Sequence, residues 1–191
     1  MKYLIIYAHP LESSLNNYLK AVVEQKLSNH MHEVVVRDLN QLNFNPVLSD
    51  DDMVGQMKGI VSEDVKTEQE YITWADGIIM IYPIWWTGMP AIMKGYIDRV
   101  FSYGFAYRYD KGVQKGLLVG KSLYVFNTHG KSKEEYQEIG MDVALKLTSD
   151  TGIFTYSGLE IKKHFYFGQA DRVEASVVEK WVLEITESFS A

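Results

Sequence analysis

GIIMIYP, residues 77–83, is the clearest buried strand in this sequence. An uninterrupted apolar run of this length, closed by a proline, is typical of a strand that is covered on both faces in a parallel sheet. Similar runs occur at residues 3–8 and 122–127, and two weaker ones at residues 33–36 and within residues 155–167. The sequence therefore predicts five strands.

Helical patterns lie between these strands. Ser13 and Ser14 stand before apolar residues at helical spacing, which indicates a capped first helix. Further helices are predicted at residues 66–74, 90–101, 133–149 and 171–188, with loops at residues 38–57 and 105–116. Alternating strands and helices form right-handed βαβ units around a parallel sheet. The predicted fold is α/β and flavodoxin-like: a doubly wound five-stranded parallel sheet of order 2-1-3-4-5, with helices on both faces, in a single domain spanning residues 1–191.

The composition excludes several kinds of chemistry. The chain has no cysteine, which rules out thiolate catalysis, dithiol redox chemistry and iron–sulfur clusters, so that any redox reaction needs a bound cofactor. The formal net charge of -6 disfavours a nucleic-acid partner. No apolar run is long enough for a secretory signal or a membrane span. We expect a cytoplasmic protein without membrane insertion.

The loops after the first, third and fourth strands carry the candidate site, because ligands of such sheets lie beyond the carboxyl ends of the strands. The first loop contains His9, Ser14 and Asn16 before a helix N-terminus, where free backbone N–H groups suit a phosphate. His9 can add a charge-assisted hydrogen bond to that phosphate. The alternative is that Ser13 or Ser14 serves only as the helix cap.

The other two loops suit a planar ring. The third reads Tyr82-Pro-Ile-Trp-Trp-Thr-Gly-Met-Pro90, and its aromatic and proline residues fit an apolar planar ligand. A hydrophobic plug or a subunit interface is the alternative. In the fourth loop, residues 127–130, Gly130 permits close backbone approach to a ring edge. A phosphate together with a large planar ring indicates FMN or FAD.

Three other signals have simpler explanations. No Gly-x-Gly-x-x-Gly follows the first strand, which argues against a Rossmann site. Residues 116–122 resemble a phosphate-binding P-loop but are one residue short and precede a strand, so we expect an ordinary connecting loop. His30 and His32 lack a third ligand at an obvious spacing, and an exposed turn explains them better than a metal site.

Residues 83–107, PIWWTGMPAIMKGYIDRVFSYGFAY, resemble the signature of the NAD(P)H dehydrogenase (quinone) family, the DT-diaphorase-like flavoproteins. The first and fourth loops match the same family, and the chain is similar in length to its short bacterial branch, which includes ancillary flavoproteins of potassium-efflux systems. The resemblance implies a homodimer with a flavin at each of two sites between the subunits. The implied flavin contacts are His9, Ser14, Leu15, Asn16, Pro83, Ile84, Trp85, Trp86, Thr87, Thr128, His129 and Gly130.

The resemblance also implies an acceptor pocket walled by Tyr107 and Tyr109 from the partner subunit, and it places the family's active-site tyrosine at Tyr136. Without a functional role, Tyr136 would be an exposed helix residue. The chain departs from the family at His129, where glycine is usual, and at Asp142, where a histidine is expected. A carboxylate cannot stabilise negative charge as an imidazolium does, so the family's tyrosine–histidine pair is altered here.

The resulting hypothesis is an enzyme that transfers two electrons from NAD(P)H to a quinone-like acceptor by a ping-pong mechanism, with FMN, or alternatively FAD, as cofactor. One alternative is a flavodoxin-like regulatory subunit that docks on a membrane transporter and uses the flavin as a redox sensor. A one-electron carrier fits less well, because its first loop would be rich in threonine and glycine. The choice between NADH and NADPH stays open.

Overall fold

The computed structural model describes residues 1–189, and the last two residues of the predicted domain, 190 and 191, lie outside them. Its main sheet has five parallel strands in the order β2-β1-β3-β6-β7. The strands are β1 Lys2–Tyr7, β2 Glu33–Asp38, β3 Gly77–Pro83, β4 Tyr107–Asp110, β5 Val113–Gly116, β6 Ser122–Thr128 and β7 Glu160–Phe167. The helices are α1 Leu15–Asn29, α2 Asp50–Met57, α3 Glu63–Trp74, α4 Ala91–Val100, α5 Lys133–Glu138, α6 Met141–Leu145, a π-helix at Lys146–Thr155, and α7 Ala175–Ser188.

The central strands are buried on both faces, which confirms the predicted flavodoxin-like fold. Side chains alternate across a strand, so Ile78 and Met80 of β3 pack on one face with α3, α4 and the π-helix. Ile79 and Ile81 pack on the other face with α1 and α7. Because β3 lies between β1 and β6, the carboxyl ends of the three strands meet at one edge of the sheet.

The prediction of a loop at residues 38–57 is wrong for residues 50–57, which form α2. Ser49 caps this helix by accepting a hydrogen bond from the Asp52 N–H, and the Asp52 carboxylate accepts one from the Ser49 N–H. Three aspartates in the first turn complement the positive end of the helix dipole. The aspartate run therefore starts a helix instead of continuing the loop.

The predicted loop at residues 105–116 is also wrong, because most of it forms an antiparallel hairpin of β4 and β5. Lys111 and Gly112 both have positive φ in the turn, which is the geometry of a tight hairpin. The P-loop-like segment that follows is a connection into β6, as expected. A Cβ on Gly116 would lie 2.3 Å from the backbone nitrogen of Gly158, so glycine is needed there for close packing.

The single helix predicted at residues 133–149 is broken into α5, α6 and the π-helix. Gly140 takes a left-handed conformation at φ 71 and separates α5 from α6. Two other predicted helices shift at their starts, since α3 begins at Glu63 and α7 at Ala175. Within residues 1–189, no helix combines the length and the apolar character that a membrane crossing requires.

Candidate functional site

The carboxyl ends of β1, β3, β6 and β7 surround a crevice of about 260 Å³. This crevice is the candidate site. It brings together the predicted residues of all three loops, which are far apart in the chain. Its lining consists of His9, Ser14, Leu15, Asn16, Pro83, Ile84, Trp85, Thr128, His129, Gly130, Ala170 and Asp171.

The first loop presents neutral hydrogen-bond donors to the crevice. Ser14 is the N-cap of α1, and its hydroxyl accepts a hydrogen bond from the Asn17 N–H at 3.2 Å. The Leu11 N–H donates to Nδ1 of His9 at 3.1 Å, so a neutral His9 carries its proton on Nε2. Burial lowers the pKa of His9. His9 is thus better suited to donate as a neutral ring than as the charged group expected from the sequence.

Asn16 joins the first loop to the fourth. Its side chain is buried, and Nδ2 donates to Oγ1 of Thr128 at 2.8 Å across a sequence separation of 112 residues. The Oδ1 atom of Asn16 is buried without a hydrogen-bond partner. A buried acceptor without a donor is costly. The side chain is therefore held in place at one end and free to accept a hydrogen bond from a ligand at the other.

The third loop is a strained turn. Trp85 and Gly88 exchange two backbone hydrogen bonds of 3.0 and 3.1 Å, and the residues between them, Trp86 and Thr87, have φ of 49 and 57. Left-handed backbone costs about 1–2 kcal/mol for a residue with a Cβ. Strain of this kind clusters at functional sites. The turn leaves Trp86 fully exposed and aims Trp85 at the His9 ring, whose centroid is 5.6 Å away.

The fourth loop is fixed to the end of β7. The His129 N–H donates to the carbonyl of Phe167, and the His129 carbonyl accepts from the Ala170 N–H, both at 3.0 Å. The ring of His129 is buried, stacks on Tyr136 at 4.5 Å, and has the backbone N–H of Lys131 beside it. Burial lowers the pKa of His129. Its backbone φ is not in the left-handed region, so histidine at this position causes no strain.

Comparison with known proteins agrees with this arrangement. A family model described as a flavodoxin-like fold matches residues 1–187. A protein of Haemophilus influenzae named as an NAD(P)H oxidoreductase is 39% identical over 177 residues, covering 91% of this chain and 87% of that protein. NAD(P)H dehydrogenase (quinone) 1 of Rattus norvegicus is 31% identical over 178 residues, covering 83% of this chain and 65% of the rat enzyme.

The chain belongs to the NAD(P)H dehydrogenase (quinone) family of flavodoxin-like proteins. A solved structure of an NAD(P)H:quinone oxidoreductase from Methanothermobacter marburgensis superimposes with a TM-score of 0.89 at 26% identity, covering 98% of this chain and 96% of that one. The predictions of the family and of an oxidoreductase enzyme are therefore confirmed. These relatives are named as oxidoreductases, which gives no support to the alternative of a transporter subunit.

Within this member of the family, two predicted flavin residues lie outside the crevice. Thr87 lines a second cavity of about 190 Å³, which shares Ile84 with the crevice. Trp86 lines neither of the two cavities. Both residues belong to the strained turn, so they stand beside the crevice at its rim.

Tyr136 is separated from the crevice by His129. It lies on α5 and lines a larger adjoining cavity of about 430 Å³, together with Asp142 and the other face of His129. Tyr136 is partly buried, not exposed, and burial raises the pKa of its hydroxyl. The Oδ1 atom of Asp142 is buried there without a partner.

Tyr107 and Tyr109 are not part of the crevice of their own chain. They lie on β4, where the ring of Tyr107 packs on Tyr156 and the hydroxyls of Tyr109 and Tyr156 are hydrogen-bonded at 3.1 Å. A contribution to the site from these two residues requires a second subunit.

The sequence prediction missed Ala170 and Asp171, which follow β7 and complete the crevice. The rule that ligands lie beyond the carboxyl ends of the strands also applies to the fifth strand of the sheet, and it could have found both residues. It also missed His164, a nearly buried histidine of β7 that is hydrogen-bonded to the side chain of Asn127. Nothing in the local sequence distinguishes His164 from an ordinary strand residue.

Proposed function

We propose that this protein binds FMN in the crevice and transfers two electrons from NAD(P)H to a quinone-like acceptor by a ping-pong mechanism. The observation that carries the proposal is that one crevice collects a helix N-terminus, a tryptophan and a glycine-bearing loop at the switch point of the sheet. FAD is the alternative cofactor. A cytoplasmic location and a single domain are part of the same proposal.

The residues present fit a flavin. Asn16 lines the crevice and holds one buried acceptor, Oδ1, without a partner. A ligand with donors along its length, as a flavin has, would satisfy this atom. Phosphate would bind the N–H groups at the start of α1, with donors from Ser14 and from Nε2 of His9. A bound flavin would supply the hydride-transfer chemistry.

The protein itself would orient the bound flavin and exclude water from the site. Trp85 and the rim turn give an apolar wall on one side, and Thr128 to Gly130 border the other. No lysine or arginine lines the crevice among the residues that the structure describes. Neutral donors therefore carry the proposed phosphate binding, which makes it less dependent on salt than binding by charged side chains.

We propose a homodimer in which Tyr107 and Tyr109 of one subunit wall the acceptor pocket of the other. The support is that Tyr109 is exposed and lies away from the crevice of its own chain, and that Tyr107 is the last residue of the segment that resembles the family signature. The fully exposed Trp86 fits the same contact. A sedimentation measurement of the purified protein tests this part of the proposal.

The test of the whole function is a binding titration with FMN and with FAD, followed by steady-state oxidation of NADH and NADPH with a simple benzoquinone. Asn16→Ala should weaken FMN binding about tenfold, because it removes one buried hydrogen bond to the ligand and the link to Thr128. Asn29→Ala, at the exposed far end of α1, is the matched control and should bind FMN like the wild type. Binding of neither flavin by the wild type would refute the proposal.

A further inference from the structure

A buried histidine lies directly behind the crevice. His164 on β7 has a side chain that is 5% exposed, and it does not line the crevice. Its Nδ1 is 2.7 Å from Oδ1 of Asp150 on the π-helix, and its Nε2 is 2.7 Å from Oδ1 of Asn127 on β6. The ring is thus held at both nitrogens.

The orientation of the Asn127 amide is fixed by a second contact. Its Nδ2 donates to the carbonyl oxygen of Tyr82 at 3.1 Å. A carbonyl can only accept, so the amide nitrogen must face Tyr82 and the amide oxygen must face His164. Both ring nitrogens of His164 therefore point at acceptors, and both hydrogen bonds form only when the ring carries two N–H groups.

Asn127 connects this ring to the crevice. The Tyr82 carbonyl that it holds directly precedes Pro83, and Thr128 directly follows Asn127. Thr128 in turn holds Asn16 and, through its carbonyl, the Ile84 N–H at 2.8 Å. A movement of Asn127 would therefore be transmitted to the ends of both β3 and β6, where the crevice is built.

Building on the proposed function, we propose that His164 is a positioning residue for the flavin crevice: the ring with two N–H groups holds Asn127, and loss of one proton releases that hold. A neutral ring keeps its N–H toward the Asp150 carboxylate, because charge-assisted hydrogen bonds are the stronger ones. The lone pair of Nε2 then faces the lone pairs of the Asn127 oxygen. The crevice is best formed with the protonated ring, so FMN affinity falls as the pH rises.

Several groups set the pH range of this change. Burial lowers the pKa of His164, while the Asp150 carboxylate favours the charged ring. The Tyr166 hydroxyl is 3.2 Å from Nδ1, and its ring stacks on His164 with centroids 4.0 Å apart. Other titratable and charged groups face His164 or line the cavity of about 430 Å³ that His164 also lines. They are Asp150 and Lys146 of the π-helix, Asp142 of α6, Lys133 and Tyr136 of α5, Glu184 of α7, Tyr166 of β7, and His129.

Because the pKa of His164 is lowered below its ordinary value, the test is an FMN titration of the full chain from pH 4.5 to 7.5, with ¹⁵N NMR of the histidine rings in the presence and absence of FMN. The wild type should lose about tenfold in affinity across this range beyond any loss seen in His164→Gln, whose side chain does not titrate. FMN should also shift the His164 titration to higher pH, because the liganded crevice favours the protonated ring. His30→Gln, at an exposed turn, is the matched control and should follow the wild type.

A second variant separates positioning from general stability. In Asp150→Asn, the amide can donate to Nδ1, so a neutral ring can give its only N–H to Asn127. This variant should keep tight FMN binding up to pH 7.5. Parallel pH profiles for the wild type and His164→Gln, or a His164 titration that FMN leaves unchanged, would overturn the positioning role alone. A wild type that binds no flavin at any pH would overturn both this role and the proposed function.

Discussion

Replacement of Asp52 by asparagine should destabilise the fold by about 2 kcal/mol at neutral pH. Arg99 is buried on α4, and its Nε donates to Asp52 Oδ2 at 3.0 Å, while Nη1 donates to Asp64 Oδ2 at 2.5 Å. The Asp52 side chain is only 7% exposed. These ion pairs connect α2 and the start of α3 to α4. They therefore stabilise the packing of the segment that follows β2.

The magnitude follows from the proton affinity of the carboxyl group. Burial alone would raise the pKa of Asp52, but the hydrogen bonds from Arg99 and Ser49 outweigh burial and lower the pKa to about 2. Relative to the ordinary value of 3.8, and at 1.36 kcal/mol per pH unit, the folded state gains about 2 kcal/mol from the charged carboxylate. A depressed pKa stabilises the fold above about pH 4, and this contribution is lost as the pH falls toward 2.

Urea unfolding of the wild type and of Asp52→Asn at pH 7 and at the lowest pH that keeps the wild type folded would measure this difference. A change of 2 kcal/mol corresponds to about 4–8 °C in melting temperature for a chain of this size. Asp50→Asn, exposed in the same first turn, should cost less than about 1 kcal/mol. Equal destabilisation by the two substitutions, or a difference that does not shrink in acid, would refute the assignment to the Arg99 pair.

Two further predictions concern the site. Thr87→Gly should raise the free energy of unfolding by about 0.5 kcal/mol, because relief of the left-handed strain outweighs the entropy that glycine adds to the unfolded chain. Thr73→Gly, inside α3, should instead lower it by about the same amount or more, and a loss of stability in both variants would contradict the strain argument. Tyr136→Phe should slow flavin reduction at least about tenfold in stopped-flow measurements while FMN stays bound, because the Tyr136 ring stacks on His129, which lines the crevice, and the substitution removes the hydroxyl donor behind that ring. Tyr18→Phe, exposed on α1, is its control, and unchanged reduction in Tyr136→Phe would remove the catalytic role of this residue.

The loops of this protein show where local sequence patterns are insufficient. The three-aspartate run and the segment 105–116 both look like loops because polar or glycine residues dominate them. Tertiary contacts decide otherwise: the buried Arg99 pairs with Asp52 of α2, and Tyr156 packs against the hairpin. The break between α5 and α6 at Gly140 could not be predicted from the sequence either, since a glycine inside a helical pattern can be tolerated or can end the helix.

The sequence by itself determined the five-stranded parallel sheet, its order and the family, together with most of the residues that line the crevice. The sheet follows from the continuous apolar runs of buried parallel strands, whose carboxyl ends must share one edge, while the family and several of the lining residues follow from the resemblance of residues 83–107 and the matching loops to the family. Only the tertiary structure decided which side chains are joined across long separations, such as Asn16 with Thr128 and His164 with Asn127. Hydrogen bonds of this kind depend on the packing of whole elements to within about an ångström, and no local pattern of residues encodes that distance.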